Sequence, residues 1–374
     1  MSNTQLLARA RAVGEVARAH AAEGEELRRL PAPVVEALRD AELLRMAVPA
    51  VYRGPEADPL TMMACMEEVA RADGAAGWCS MIATTTASLS MFLPPEWAGP
   101  IFSDPTVVTG GVFAPNGRAV SEGDHWRVDG RWMWGSGTQH CQWIVGGAMA
   151  DDGTQHVMFF PAEDVTFHDT WHTHGLRGTG SLDISVEGVL VPKGRSVVPA
   201  SGKVYVETPL SAFPNFTLLA IGVAAVALGI GRRAIDEIVE LGVDKRPQFS
   251  QRTIAQMGTN QSDLARAEAR LSSARAYLFD EVGQAWEAVC AGGRADVARR
   301  TRIRLAGANA AESAAKVVDA MYTMAGGTSV YQASALQRCL RDAHVATQHI
   351  MVAPRLYETM GKHLFGMDID AAMI

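Results

Sequence analysis

Three stretches of the chain concentrate side chains able to do chemistry. The first, Trp126-Arg-Val-Asp-Gly-Arg-Trp132-Met133-Trp134-Gly135-Ser136-Gly-Thr138-Gln-His140-Cys-Gln-Trp143, sets indoles beside small hydroxylated residues. Such a run can hold a planar heteroaromatic ring, with a serine hydroxyl and backbone N–H groups at the ring edge, or it can fill a tryptophan-rich sheet core. The second, Trp171-His-Thr-His174-Gly175-Leu-Arg177-Gly178-Thr179-Gly180-Ser181, is a glycine-rich loop ahead of a strand. It lacks the spacing of a Walker loop or a dinucleotide fingerprint, and no helix follows it. Its histidines and nearby His168 have no carboxylate or thiolate to complete a metal set, so no metal is expected. The third, Gly326 to His349, carries His344 and His349 five residues apart. On one continuous helix they would point about 140° apart and could not share one small site. Either one titrates in a pocket or both edge the core.

These stretches must be held by a chain of 374 residues, 48% hydrophobic and 20% charged, which buries enough apolar surface to exclude extended disorder. The net charge of −7 excludes a nucleic-acid binder working through a basic face, so any anionic ligand must be met locally. Five widely spaced cysteines without a C-x-x-C pair form neither a disulfide framework nor a zinc site. The N-terminus has no signal-peptide layout. Thr217–Gly231, the most apolar run, is too short and too rich in Gly and Ala for a span, so it reads as a buried helix in a cytoplasmic protein.

Helical spacing of apolar residues predicts helices over Thr4–Leu27, from Pro31 and Pro33 to the Pro49 and Gly54-Pro55 breakers, over Thr61–Arg71 and over Gly74–Phe92, making residues 1–105 an all-helical domain. From residue 106 to about 205 short alternating runs predict a central β-sandwich or barrel. In it, Trp126–Val128 and Trp132–Trp134 form a hairpin through Asp129-Gly130, and strands follow at His156–Phe160 and Ser185–Val191. Residues 206–374 return to the helical period, with Leu218–Val239, Ser262–Ala291, Ala295–Ala325 and Ala335–Lys362 forming a four-helix bundle. The fold class is α+β in the order α, β, α.

Together these motifs resemble the acyl-CoA dehydrogenase superfamily over nearly the whole chain. The resemblance rests on Leu30–Leu44 with Pro49 and Tyr52-Arg-Gly-Pro, on Val128–Ser136, on Gly175-Leu-Arg with Val189–Pro192, and on Gly326-Gly through Arg341-Asp342-Ala. It implies flavin held between the β domain and the bundle of a homotetramer. Common dehydrogenases carry their catalytic Glu eight residues after the Arg-Asp pair, a position that falls here on Ile350. The neighbouring His349, with Trp134-Gly-Ser-Gly-x-x-His and Gly178-Thr-Gly-Ser, is instead similar to the two-component flavin monooxygenase branch.

That resemblance implies reduced flavin (FADH2 or FMNH2) delivered by a separate NAD(P)H reductase, reaction with O2 to a C4a-hydroperoxyflavin, and hydroxylation of a small aromatic or polycyclic substrate. It assigns Ser136 as a hydroxyl donor at flavin N5 and His349 as the acid–base group. It places Trp132, Met133, Trp134, Gly135, Ser136, Thr179 and Ser181 at the flavin, with Arg246 and Gln256 reaching a neighbouring subunit's flavin tail. Trp78, Thr85, Phe113 and Asn116 border the substrate. Phenol-hydroxylating relatives carry a histidine on the helix after Gly77-Trp78, where this chain has Met81-Ile-Ala-Thr-Thr-Thr. Two further readings stand beside this one. One is an acyl-CoA dehydrogenase with its base displaced to Asp236, Glu237 or Glu240, and the other is a scaffold that has lost flavin. No nucleic-acid or membrane partner is expected.

Overall fold

The computed structural model describes residues 2–199, 203–370 and 374. Six helices come first: α1 (Asn3–Ala19), α2 (Ala21–Leu27), α3 (Ala32–Asp40), α4 (Pro59–Ala72), α5 (Gly74–Ala87) and α6 (Pro95–Phe102). Side-chain caps set several starts: Ser2 and Gln5 form a capping box on α1, while Asp58 and Asp73 accept from Thr61 N and Ala76 N at the heads of α4 and α5. The helix predicted over Thr4–Leu27 breaks at His20, and the one predicted to Phe92 ends its α-helical part at Ala87. Helix α6, opened by Pro95, was not expected.

Seven strands follow: β1 (Thr109–Glu122), β2 (His125–Gly135), β3 (Trp143–Ala150), β4 (Gln155–Pro161), β5 (Thr166–His168), β6 (Leu182–Pro192) and β7 (Ser196–Val197). They form a single sheet in the order β5-β6-β2-β1-β3-β4-β7, mixed because β1 and β3 run parallel. The expected hairpin at Asp129-Gly130 is absent. Strand β2 runs straight through that pair, and the turn lies at Gly123-Asp124, where Gly123 supplies a φ of 57°. Two local interactions explain the difference. Asp129 accepts from Gly188 N at 2.7 Å across a register shift with β6, and a Cβ on Gly130 would sit 2.6 Å from the indole of Trp132.

Trp132 is the centre of this sheet. It is 1% exposed, its Nε1 donates to Gly147 O at 2.8 Å, and Gly117 and Gly146 on β1 and β3 leave room for its ring. The sheet curls around this one indole, and Phe160 meets it at 5.8 Å. Trp132 therefore lines no ligand surface, contrary to the sequence expectation.

The helical C-terminal part comprises α7 (Asn215–Asp244), α8 (Gly258–Cys290), α9 (Val297–Ala325), α10 (Ala335–Ala346) and α11 (Leu356–Leu364). The apolar stretch Thr217–Gly231 lies buried in the N-terminal half of α7, packed on α4, α5 and α9. The helix predicted over Ala335–Lys362 is interrupted at residues 347–355, ahead of and around Pro354, which has no N–H to continue it. The interruption places His349 in a turn that doubles back. One apolar core, including Val69, Ala76, Trp132, Ile230 and Val318, runs through helices and sheet alike.

Candidate flavin and oxygenation site

The turn after β2, the loop before β6, the N-terminal half of α5 and the turn after α10 meet around Ser136. Trp78 on α5 donates from Nε1 to Ser136 Oγ at 3.1 Å, and its ring lies edge-on to His349 at 5.5 Å and 74°. Ser136 Oγ is 2.6 Å from Ser181 Oγ, which is 2.6 Å from Thr179 Oγ1. Thr179 Oγ1 also lies 2.8 Å from Leu176 O, and Gly137 N donates to Thr179 O, which ties the two loops together. Ser136, Thr179 and Ser181 are all buried.

Counting hydrogens gives this chain a direction. A carbonyl only accepts, so the one hydrogen of Thr179 goes to Leu176 O; Ser181 must then donate to Thr179, and Ser136 to Ser181. The hydrogen of Ser136 is thus committed within the protein, and its oxygen, already accepting from Trp78, keeps one lone pair. The expectation of Ser136 as a donor is reversed: the site offers an acceptor.

His349 completes the cluster as a neutral group. Burial, aided by the Arg304 guanidinium, pulls its pKa down to about 4. Its Nδ1 accepts from Met351 N at 3.3 Å, so the single hydrogen resides on Nε2. The other candidate, His344, is half-exposed and paired to Asp319 at 2.8 Å. His140, three residues past Gly137, is likewise held neutral by burial, near pKa 4, with its Nε2 buried and unbonded.

The sign of the His349 shift makes a testable statement. Between pH 6.5 and about 4 the unfolded chain takes up a proton that folded His349 refuses, so stability falls as pH drops through that window. Asp73 and Asp342, raised to about 6 and about 7 by burial, act in the opposite sense, and both remain in a His349→Asn variant. Denaturant unfolding at pH 7 and pH 4.5 should show wild type losing on the order of 2 kcal/mol more than His349→Asn, after discounting for the partial exposure of the ring. Equal losses would refute the buried neutral imidazole.

The other expected residues fall in different places. Met133 and Trp134 are 47% and 65% exposed beside Ser136, and Trp134 adopts a φ of 66°, a strained conformation for a bulky residue. Gly135 is buried between Ile184 and Thr138. Phe113 packs edge-on to Phe216 at 6.4 Å, while Asn116 is exposed on the irregular part of β1. Thr85 contradicts its expected role: it is 1% exposed and its hydroxyl bonds back to Met81 O within α5, leaving no hydrogen for a substrate. Arg246 and Gln256 are exposed on the α7–α8 connection, away from this cluster within the chain.

A carboxylate base is missing from the cluster among the described residues. Ile350 is exposed, and the acidic groups on α7 are engaged elsewhere: Asp236 bonds Arg71 at 2.6 Å, Glu237 pairs with Arg233, and Glu240 is exposed. Comparison with known proteins agrees. The profiles "Acyl-CoA dehydrogenase, N-terminal domain" and "Acyl-CoA dehydrogenase, C-terminal domain" match residues 3–93 and 221–354. An indole-3-acetate monooxygenase of Pseudomonas putida is 31% identical, the match covering 93% of this chain and 90% of that one. The chain belongs to the flavin-dependent monooxygenase branch of the acyl-CoA dehydrogenase superfamily. An oxygenase subunit of a flavin-dependent monooxygenase from Rhodococcus jostii is 29% identical over 96% of this chain and 97% of its own. Among solved structures, XiaF from Streptomyces sp. in complex with FADH2 superposes with a TM-score of 0.92 at 27% identity, covering 98% of this chain and 96% of the other.

The residues present fit a reduced flavin. Met133 and Trp134 expose apolar surface in the residues just before Ser136, whose remaining lone pair supplies a polar group, which suits a planar ring with a polar edge. Of the residues singled out in the sequence, Ser136, Thr179, Ser181 and His349 come together here with Trp78, which was expected only at a substrate border. Its bond to Ser136 depends on how α5 docks on β2, for which no local motif exists.

Proposed function

We propose that this chain is the oxygenase component of a two-component monooxygenase, supplied with reduced flavin by a separate NAD(P)H-dependent reductase. It inserts one oxygen atom into a small aromatic or polycyclic substrate. The observation that carries the reading is the neutral, carboxylate-free cluster of Ser136, Ser181, Trp78 and His349: it can exchange hydrogen bonds with a reduced ring but has no base to remove a thioester α-proton.

Reduced flavin, when bound, supplies the two electrons by which O2 yields one oxygen atom for the substrate and one for water. Ser136 would hold the reduced ring by accepting from its N5–H, a hydrogen that the oxidised ring lacks. His349, neutral, would present Nε2–H to the reacting centre as a hydrogen-bond donor. Trp78 covers the hydroxyl chain and keeps bulk water from it, which favours oxygen transfer over peroxide loss. The absence of an imidazole on α5 and the committed hydroxyls of Thr84, Thr85 and Thr86 argue against recognition of a phenolate at that wall. Phe249, 98% exposed on the loop carrying Arg246 and Gln256, supports a homotetramer in which this loop reaches a neighbour's flavin.

Stopped-flow absorbance tests the reading. Reduced flavin and protein mixed with oxygenated buffer should reoxidise in at least two phases, the slower one well below the free-flavin rate. Reoxidation at the free-flavin rate at every protein concentration, or bleaching of bound oxidised flavin by an acyl-CoA, would overturn it.

A further inference from the structure

Among the described residues, Arg304 on α9 is a buried cation that no acidic side chain answers. It is 1% exposed, its Nη1 meets only the sulfur of Met351, at 2.8 Å, and its Nε is buried without a partner. The chain shows how it treats a guanidinium buried for structure. Arg45, 3% exposed, reaches Glu42 and the carbonyl oxygens of Tyr52, Arg53 and Phe102. A thioether is no substitute for four oxygens, and an uncompensated charge in the interior is strongly unfavourable. Burial draws the pKa of Arg304 down only to about 10, so it is charged at neutral pH.

Its place in the bundle supplies the second half of the argument. Helices α7 and α9 run parallel, with Gly231 against Ala314 and Gly307 against Ala220 and Ala224. The same offset sets Arg304 level with Thr217 to Ile221. Thr217, 0% exposed, is another buried group whose hydroxyl has no partner. Beside it Phe216 packs on Phe113, and Met351, which covers Arg304, donates its backbone N–H to His349. Among the described residues, a cation without a counter-charge and a hydroxyl without a partner therefore stand at one level of the bundle, near the turn that carries His349. A carboxylate held between them would answer both, taking a forked pair of bonds from the guanidinium and one from the threonine. Met351, unbranched and adaptable, fills the acceptor position and can yield it.

We propose that Arg304, with Thr217, is the specificity site for a carboxylate on the substrate, so that the enzyme's substrates are aromatic acids rather than neutral arenes. The proposal rests on the monooxygenase reading of the adjoining site. Its test uses protein loaded anaerobically with reduced flavin and titrated with three probes, indole-3-acetate, phenylacetate and 3-phenylpropanoate, each against its own amide. Wild type should bind at least one acid roughly 100-fold more tightly than its amide. Arg304→Met should erase that ratio, Arg304→Lys should restore part of it, and Thr217→Val should lower it several-fold. The melting temperature of Arg304→Met should be no lower than that of wild type, because an uncompensated charge has been removed.

An absent acid preference in every pair, or an undiminished preference in Arg304→Met, overturns the proposal. So does a melting temperature of Arg304→Met that falls with dilution, which would assign the guanidinium to a carboxylate of a second subunit. Biphasic reoxidation of reduced flavin without any substrate shows whether the monooxygenase reading stands independently of these outcomes.

Discussion

Ser136→Ala is expected to convert the enzyme from an oxygenase into an oxidase, with the slow phase of flavin reoxidation lost and hydrogen peroxide released in place of product. The oxygen of Ser136 is the open end of a hydrogen-bond chain that begins at Leu176 O and runs through Thr179 and Ser181. Removing it leaves Trp78 Nε1 and Ser181 without their partner in a buried setting, and removes the acceptor proposed for the hydrogen at flavin N5. A hydrogen bond made in a dry, preorganised site is worth about 2–3 kcal/mol, so product formed per flavin oxidised should fall roughly 100-fold. Ser181→Ala separates direction from presence. It frees the hydrogen of Ser136 to point outward, where it suits the oxidised ring, so the ratio of reduced to oxidised flavin affinity should drop several-fold while Ser136 remains. Coupled assays of product and peroxide, with anaerobic and aerobic flavin titrations, read both. If Ser136→Ala keeps wild-type coupling, the hydroxyl chain has no part in the chemistry.

The residues of this chain were legible and its directions were not. Ser136, Thr179, Ser181 and His349 stand in motifs that a linear reading can match. The hydrogen of Ser136 is assigned by Leu176 O, whose position follows from tertiary packing. Asp129-Gly130 reads as a turn because local propensity favours one, yet the missing Cβ of Gly130 serves the ring of Trp132 instead. Trp132 and Trp134, two residues apart, would share a face of a regular strand, yet one is buried and the other exposed, because the register shift after Trp132 and the positive φ of Trp134 break the alternation. The periodicity that fixed the helices could not see the interruption at 347–355, and with it the turn that carries His349. Arg304 offered a faint signal: a lone guanidinium on the face of α9 shared with Ala308, Ala311 and Ala315, all buried.

The second large effect should come from Gly175→Ala, a residue outside the Ser136 cluster. Gly175 lies against the main chain of α10, so close that a Cβ there would overlap the carbonyl of Arg341 and stand 3.0 Å from Asp342 N. Both contacts are backbone and neither can swing away. The residues on either side depend on that approach: Asp342 Oδ1 accepts from Leu176 N at 2.6 Å, and Arg341 bonds His174 O and Glu25. Asp342 is buried, its carboxyl raised to about 7, and the bond from Leu176 opposes that rise. Displacing the loop therefore breaks a buried hydrogen bond and shifts Leu176, whose carbonyl sets the direction of the hydroxyl chain. We expect Gly175→Ala to cost roughly 3 kcal/mol or more of stability, from overpacking and the exposed loss at Asp342, and to weaken reduced-flavin binding at least tenfold in whatever protein folds. Gly361→Ala is the control, since its added Cβ meets nothing within 4 Å. Thermal unfolding and anaerobic flavin titration of the two variants decide the matter. A Gly175→Ala protein as stable as Gly361→Ala, with unchanged flavin affinity, would show that the loop is positioned by something other than its seat on α10.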